Sequence, residues 1–230
     1  MKKLFRHLFA GVMVAAAAPA LAADLPTTKG PAVAPFVDSW NPWMVRVRVL
    51  GVLPVSSGTV STALGPIIGS NARVSNSIVP EVDISYFFTK NIAVEAICCV
   101  TPHKVTATGA IAGLGEIGKT VAFPPTVLLQ YHFTDFGAFK PYIGVGVNYT
   151  HYFGNGSGPL FTNLSIKDSW GVAGQVGFDY MFDRHWGINF DVKRILMQPR
   201  ATVTLLPATP LTAKVKIDPW LVGVGVTYRF

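Results

Sequence analysis

The sequence predicts an all-β fold: an eight-stranded antiparallel transmembrane up-and-down β-barrel with short periplasmic turns and long extracellular loops. Three observations predict it. Eight segments alternate bulky apolar residues with small or polar ones at a period of two. The connections between them alternate between short and long. Half of the 230 residues are hydrophobic and only 13% are charged. Even so, no stretch beyond the N-terminus holds the roughly 18 apolar residues that a spanning helix needs.

The N-terminus sets the compartment. Lys2, Lys3 and Arg6 precede an apolar run from Leu8 to Ala18, and Pro19-Ala20-Leu21-Ala22 supplies the small residues of a processing site. This reads as a secretory signal peptide over residues 1–22, cleaved after Ala22. Residues 23–41, rich in Pro and Ala, are expected to form a flexible periplasmic lead, and residues 42–230 the barrel. Removing the signal takes three positive charges from a formal +7. The basic balance is then weak evidence for nucleic acid, which an exported chain does not meet. Cys98 and Cys99 are neighbours with Cα atoms about 3.8 Å apart, below the usual disulfide separation. They are expected to be free strand thiols.

The strands follow in order. Val45, Val47 and Val49 alternate with Arg46 and Arg48; Val82, Ile84, Tyr86 and Phe88 with Glu81, Asp83 and Ser85. Ile92, Val94, Ala96 and Cys98 alternate with Ala93, Glu95 and Ile97; Val127, Leu129, Tyr131 and Phe133 with Thr126, Leu128, Gln130 and His132. Ile143, Val145, Val147 and Tyr149 alternate with Gly144, Gly146, Asn148 and Thr150. Val172, Val176, Phe178 and Tyr180 alternate with Gly171, Ala173, Gln175, Gly177 and Asp179. Trp186, Ile188, Phe190 and Val192 alternate with Asn189, Asp191 and Lys193. Trp220, Val222, Val224, Val226, Tyr228 and Phe230 alternate with Leu221, Gly223, Gly225, Thr227 and Arg229. The short turns are Thr89–Asn91, Thr134–Phe139 and Asp183–His185. The long connections, about Pro54–Ser77, His103–Lys119, Phe153–Ser165 and Pro199–Lys216, are rich in Gly, Ser, Thr and Pro and are expected to be loops.

In a closed barrel the bulky set must face hydrocarbon, with aromatic girdles near the strand ends. A soluble β-sandwich would also alternate, but its outer face should be strongly polar; here the second set is mostly Gly, Ala, Thr and amides. Eight strands enclose a lumen just wide enough for side chains to fill. The small inward residues of strands five to eight, facing the apolar Phe87, Ile97 and Leu128, suggest a narrow, partly apolar tube. Inward charges collect lower down. Arg46 and Arg48 are expected to meet Glu81 and Asp83 in an ion-pair ladder, with Glu95 and Arg229 completing a cluster that plugs the base.

One motif points elsewhere. Gly113-Leu-Gly-Glu-Ile-Gly-Lys-Thr120 fits the phosphate-loop pattern. Such a loop needs a following helix whose amides hold the phosphate. Here Pro124-Pro125 bar a helix and alternation resumes, so the match is read as chance. His103, His132, His151 and His185 are scattered over different strands and levels. No catalytic set, metal site or cofactor is expected, and no enzyme.

Several segments carry a resemblance: Val45-Arg-Val-Arg48, Tyr86–Glu95, Thr101-Pro-His-Lys104, Pro124-Pro-Thr126 with Gln130-Tyr-His-Phe133, Lys140–Thr150, Lys167–Gly171 with Gln175–Tyr180, and Asp218-Pro-Trp220 running into Gly225–Phe230. In this order they resemble the outer-membrane protein W (OmpW) family. The Pro- and Ala-rich lead and the Cys98-Cys99 pair depart from its pattern. The resemblance implies an outer-membrane protein with a narrow hydrophobic channel that passes small apolar molecules and opens sideways toward lipid. Matching motif positions makes Ile97 and Trp170 its apolar constriction. Parity agrees for Ile97, but it turns Trp170 toward lipid unless a bulge re-aims it. Phe230 resembles the terminal signal read by the barrel-assembly machinery. The expected partners are that machinery, outer-membrane lipid and small hydrophobic ligands, with no nucleic acid and a monomeric barrel. Two functions of different class remain open. One is a passive channel for small hydrophobic molecules. The other is a structural or surface-interaction barrel contacting phage, toxin or host through its loops.

Overall fold

The computed structural model describes residues 41–230. The expected signal peptide and nearly all of the expected lead lie outside the described residues. Eight strands close the barrel: β1 (Trp43–Leu53), β2 (Ser77–Phe87), β3 (Ile92–Cys99), β4 (Thr126–His132), β5 (Phe139–Ser157), β6 (Ser169–Met181), β7 (Trp186–Met197) and β8 (Trp220–Arg229). Each pairs antiparallel with its neighbours, and β8 returns to β1 with Val226 opposite Val47. Closure leaves no strand without a neighbour on either side.

The inward and outward sets are those the alternation indicates. Val47, Val49, Val145 and Val172 lie on the outer face, whereas Arg46, Arg48, Glu95 and Leu128 are at most 1% exposed. The turns are built from short polar side chains. Asp183 Oδ1 accepts hydrogen bonds from the amides of His185 and Trp186, both at 2.7 Å, and so reverses the chain between β6 and β7. These amides hold the Asp183 carboxyl below the usual carboxylate range.

The four long connections differ from the expectation. They are not irregular loops but ribbons that carry the sheet upward as a crown. Ser70–Val74 pairs with Thr101–Gly109, which pairs with Glu116–Phe123, which joins the upper end of β5 through Phe123 and His151. A second sheet orders Phe161–Ile166, Arg200–Leu205, Thr209–Lys216, Ser57–Thr62 and Gly65–Pro66. The reason lies in small alternating residues. Val60, Ala107, Ile117, Leu211 and Val215 turn inward and form one apolar cluster with Phe161 and Leu164. Thr59, Thr106 and Thr202, read as loop formers, stand exposed on these ribbons. Within the phosphate-loop look-alike, Ala112–Leu114 is a single 3-10 turn and Glu116–Phe123 is a strand.

Candidate functional site: a charge-sealed apolar cavity

The lumen is layered from the periplasmic end upward. The lowest layer is apolar: Met44, Phe87 and Ala93 pack together, and Phe87 meets the His132 ring at a tilt, centroids 4.8 Å apart. Next comes the charge layer, presented by alternate residues of β1. Arg46 Nε and Nη2 donate to the two Asp179 carboxylate oxygens at 3.0 and 2.6 Å, and Nη1 donates to Glu95 at 2.9 Å. Arg48 donates to Asn189 at 3.0 Å and also to Asp83. Its Nε lies 2.8 Å from Glu81 as an ion pair, without the alignment of a hydrogen bond. Lys193 bridges Glu81 and Asp191 at 2.9 and 2.7 Å. Gln175 donates to Glu95 and Asp191, both at 2.8 Å, and Tyr142 donates to Asp191 at 3.0 Å. The layer links all eight strands through direct contacts of buried groups, with Gln130 of β4 donating to Gln175 at 2.8 Å and Thr227 of β8 donating to Asp179.

Satisfied partners make such a layer tolerable, because an isolated charge out of water costs several kcal/mol. Its membership is wider than the sequence suggested. Arg46, Arg48, Glu81, Asp83 and Glu95 meet as expected. Arg229 instead lies over the Phe87 ring, 4.7 Å from its centroid, beneath the layer. Asp179 and Tyr142 were missed as members. For Asp179 the signal was present, since it shares inward parity with Gln175 and Gly177.

The glycine wall is corrected too. It does not leave an open tube. A Cβ on Gly177 would lie 2.5 Å from the Tyr142 hydroxyl, and one on Gly144 would lie 2.8 Å from Gln175 Oε1. These glycines make room for the large polar groups that fill the lower lumen.

Above the charge layer the lumen turns apolar. Leu50, Val52, Ile97, Leu128, Ile195 and Leu221 belong to one buried cluster. A cavity of about 120 Å³ begins on Glu81 and Lys193 and continues past Leu50, Ile97, Ile195 and Leu221 into the crown, where Phe161, Ile117 and Leu211 line it. Cavities of roughly this size, about 150 Å³, take a benzene-sized guest when lined by apolar groups. His103 lines the upper part with Nδ1 2.8 Å from the Ser75 carbonyl oxygen, and burial lowers its basicity.

The wall beside the cavity is incompletely hydrogen-bonded. Pairing of β3 with β4 stops at Ile97–Thr126 and resumes at Thr101–Ala122. Between those rungs Cys98, Cys99 and Val100 stand across from Phe123, Pro124 and Pro125. Prolines have no N–H to donate. On the other side, β2–β3 pairing ends at Glu81–Cys99, where Pro80 and Pro102 follow. Cys99, Thr101, Pro124 and Thr126 line both this gap and the cavity. Cys98 is exposed on the outer face and Cys99 is buried on the inner one, both as free thiols.

The four expected constriction residues divide. Ile97 lines the cavity floor and Leu128 packs in the same cluster. Phe87 sits below the charge layer, sealed from the cavity. Trp170 is 70% exposed on the outer face, a correction to its assigned role. The rungs Tyr149–Trp170 and Thr150–Ser169 are in regular register, so no bulge re-aims it. It packs instead on Tyr149, ring centroids 4.9 Å apart, as part of the outer aromatic belt.

Comparison with known proteins places this geometry. The OmpW family model matches residues 42–230. The chain belongs to the OmpW family. It is 47% identical to the uncharacterized outer-membrane protein y4mB of Sinorhizobium fredii, over 87% of this chain and 86% of that one. It is 32% identical to outer membrane protein W of Vibrio cholerae, over 85% and 91%. Among solved structures, OprG from Pseudomonas aeruginosa superimposes with a TM-score of 0.76 at 29% identity, covering 82% of this chain and 95% of that one. As an OmpW-family barrel the chain is an outer-membrane protein. The apolar bands on its strands face lipid, and its crown stands on the extracellular side.

Proposed function

We propose that this barrel is a passive channel for small hydrophobic molecules, which enter the apolar crown and leave sideways into the membrane. One observation carries the reading: an apolar cavity rests on a closed charged floor and borders a stretch of wall without ladder hydrogen bonds. A guest in the cavity cannot continue downward without separating buried ion pairs, which costs several kcal/mol. Sideways passage needs only the parting of Cys98–Val100 from Phe123–Pro125. There the backbone has few hydrogen bonds to lose, and an apolar guest meets lipid of matching polarity. The barrel acts as a monomer, without cofactor or chemical step.

Flux into liposomes tests this, using refolded protein with one hydrophobic and one hydrophilic probe of similar size. The expected result is selective hydrophobic flux that collapses in Ile97→Arg, where a charge is forced into the apolar floor. Equal flux of both probes, or none above empty liposomes, would remove the channel reading and leave the crown to act as a surface for macromolecular contact.

A further inference from the structure

The outer face of the crown places like charges side by side. Lys104 and Lys119 are directly opposed register partners on one sheet. Arg200 and Lys214 are directly opposed on the other. All four side chains are exposed. Lys167 joins the second pair, its amide donating to the Arg200 carbonyl at 2.9 Å. Directly opposed like charges destabilise a sheet, and here the arrangement occurs twice on independent ribbons.

The crown's few carboxylates do not relieve it. Glu116 reaches Lys119 only at 4.0 Å, Asp218 pairs with Lys216 at 3.2 Å, and Asp168 is held by Tyr149 and His151. Among the described residues, Lys104, Arg200, Lys214 and Lys167 have no carboxylate at ion-pair distance. The crown carries seven cations (Arg73, Lys104, Lys119, Lys167, Arg200, Lys214 and Lys216) against those three carboxylates. The cations also sit at a defined height. Pro102 and Val121 form the outward rung beneath Lys104–Lys119. Below Arg200–Lys214 come the outward Leu196 and Trp220, with the Arg194 guanidinium 4.6 Å over the Trp220 ring. This is where outer-leaflet headgroups begin.

We propose that the paired cations Lys104–Lys119 and Arg200–Lys214 bind phosphate groups on the phosphorylated glycolipid of the outer leaflet. A phosphate between two like charges removes their repulsion and accepts charge-assisted hydrogen bonds from both. The binding would seat the crown on the membrane surface, independently of what passes through the cavity.

The test uses the refolded barrel in detergent, titrated with bisphosphorylated lipid A, with its dephosphorylated form and with inorganic pyrophosphate. The quadruple variant Lys104→Gln/Lys119→Gln/Arg200→Gln/Lys214→Gln is run beside it. The phosphorylated lipid should bind about tenfold or more tightly than the dephosphorylated one, and added salt should weaken it. In the variant that preference should vanish. Its unfolding midpoint without lipid should stay level or rise, which separates loss of binding from loss of fold. Equal affinity for both lipids, or an undiminished preference in the variant, would overturn the proposal. Displacement of the lipid by pyrophosphate at matching concentration would assign the cations to soluble phosphate and equally overturn the glycolipid reading.

Discussion

Arg48 and Gly225 face each other across the seam where β8 closes onto β1, and a Cβ on Gly225 would lie 2.7 Å from Arg48 Cγ and 2.6 Å from Arg48 Cα. The closing strand is therefore thin where the first strand carries its plug residue. Gly223, one inward position further on, makes the same allowance, with its Cβ site 3.1 Å from Arg48 Cδ. Barrel closure and charge burial are one packing problem. Gly225→Val is expected to destabilise the barrel by about 1–3 kcal/mol or to block closure, the usual range for overpacking. The unheated protein would then lose its distinct migration on a detergent gel. An unchanged gel shift and unfolding midpoint would refute the close fit.

The charge layer predicts a non-additive pair. Arg46→Leu leaves Asp179 and Glu95 buried without their nearest cation and is expected to cost about 3–5 kcal/mol. Asp179→Leu alone should also destabilise. The double variant should lose less than the sum, because each single change strands the other's partner. Urea unfolding from lipid vesicles measures all three, and simple additivity would show that the two do not act as a unit.

Much of this was legible beforehand. The period of two and the alternation of turn lengths gave all eight strands and the side each residue faces. Inward parity also placed Arg46, Arg48, Glu81, Asp83 and Glu95 together, because strands adjacent in a closed barrel must bring their inward charges into reach. What stayed hidden has physical causes. The crown ribbons alternate Ala and Val with Thr and Lys, a weak contrast that Gly and Pro interrupt, so they read as loops. Parity says which face a residue takes but not its height, so Phe87 was grouped with Ile97 although a charge layer separates them. Motif matching moved Trp170 inward against its own parity, and the regular register at Tyr149–Trp170 decides for parity.

That register yields a discriminating variant. Trp170→Ala removes an outer-belt ring that meets no lumen residue. Hydrophobic flux should stay within about twofold of the parent, while membrane insertion during refolding slows, since interfacial aromatics favour the headgroup level. Loss of flux equal to that of Ile97→Arg would return Trp170 to the pathway.

The unpaired wall predicts that stability and passage oppose each other. Pro124→Val restores an N–H group opposite Cys99 and allows β3 and β4 to pair without interruption. The barrel should become more stable, the amide of Cys99 should exchange more slowly, and hydrophobic flux should fall several-fold. Slower exchange with undiminished flux would place the lateral exit elsewhere.

The last prediction concerns pH at the rim. Asp168 accepts from the Tyr149 hydroxyl at 2.7 Å, lies 2.9 Å from His151 Nδ1 and accepts from the Tyr152 amide at 3.2 Å. The Tyr149 bond first, then the His151 contact, lower its carboxyl from the ordinary 3.8 to about 2. A carboxylate with a depressed folded-state pKa adds stability that is fully present above its ordinary pKa and is lost as pH falls through the folded value. The contacts of Asp168 with β5 should therefore persist at neutral pH and weaken only between about pH 4 and pH 2. The Tyr152 amide resonance reports this directly, since it senses the charge on its acceptor. It should titrate with a midpoint near 2 in the parent and lose that step in Asp168→Asn. A midpoint at the ordinary carboxylate value would mean that the cluster does not hold the charged form, and that Asp168 is a solvated side chain beside the aromatic belt.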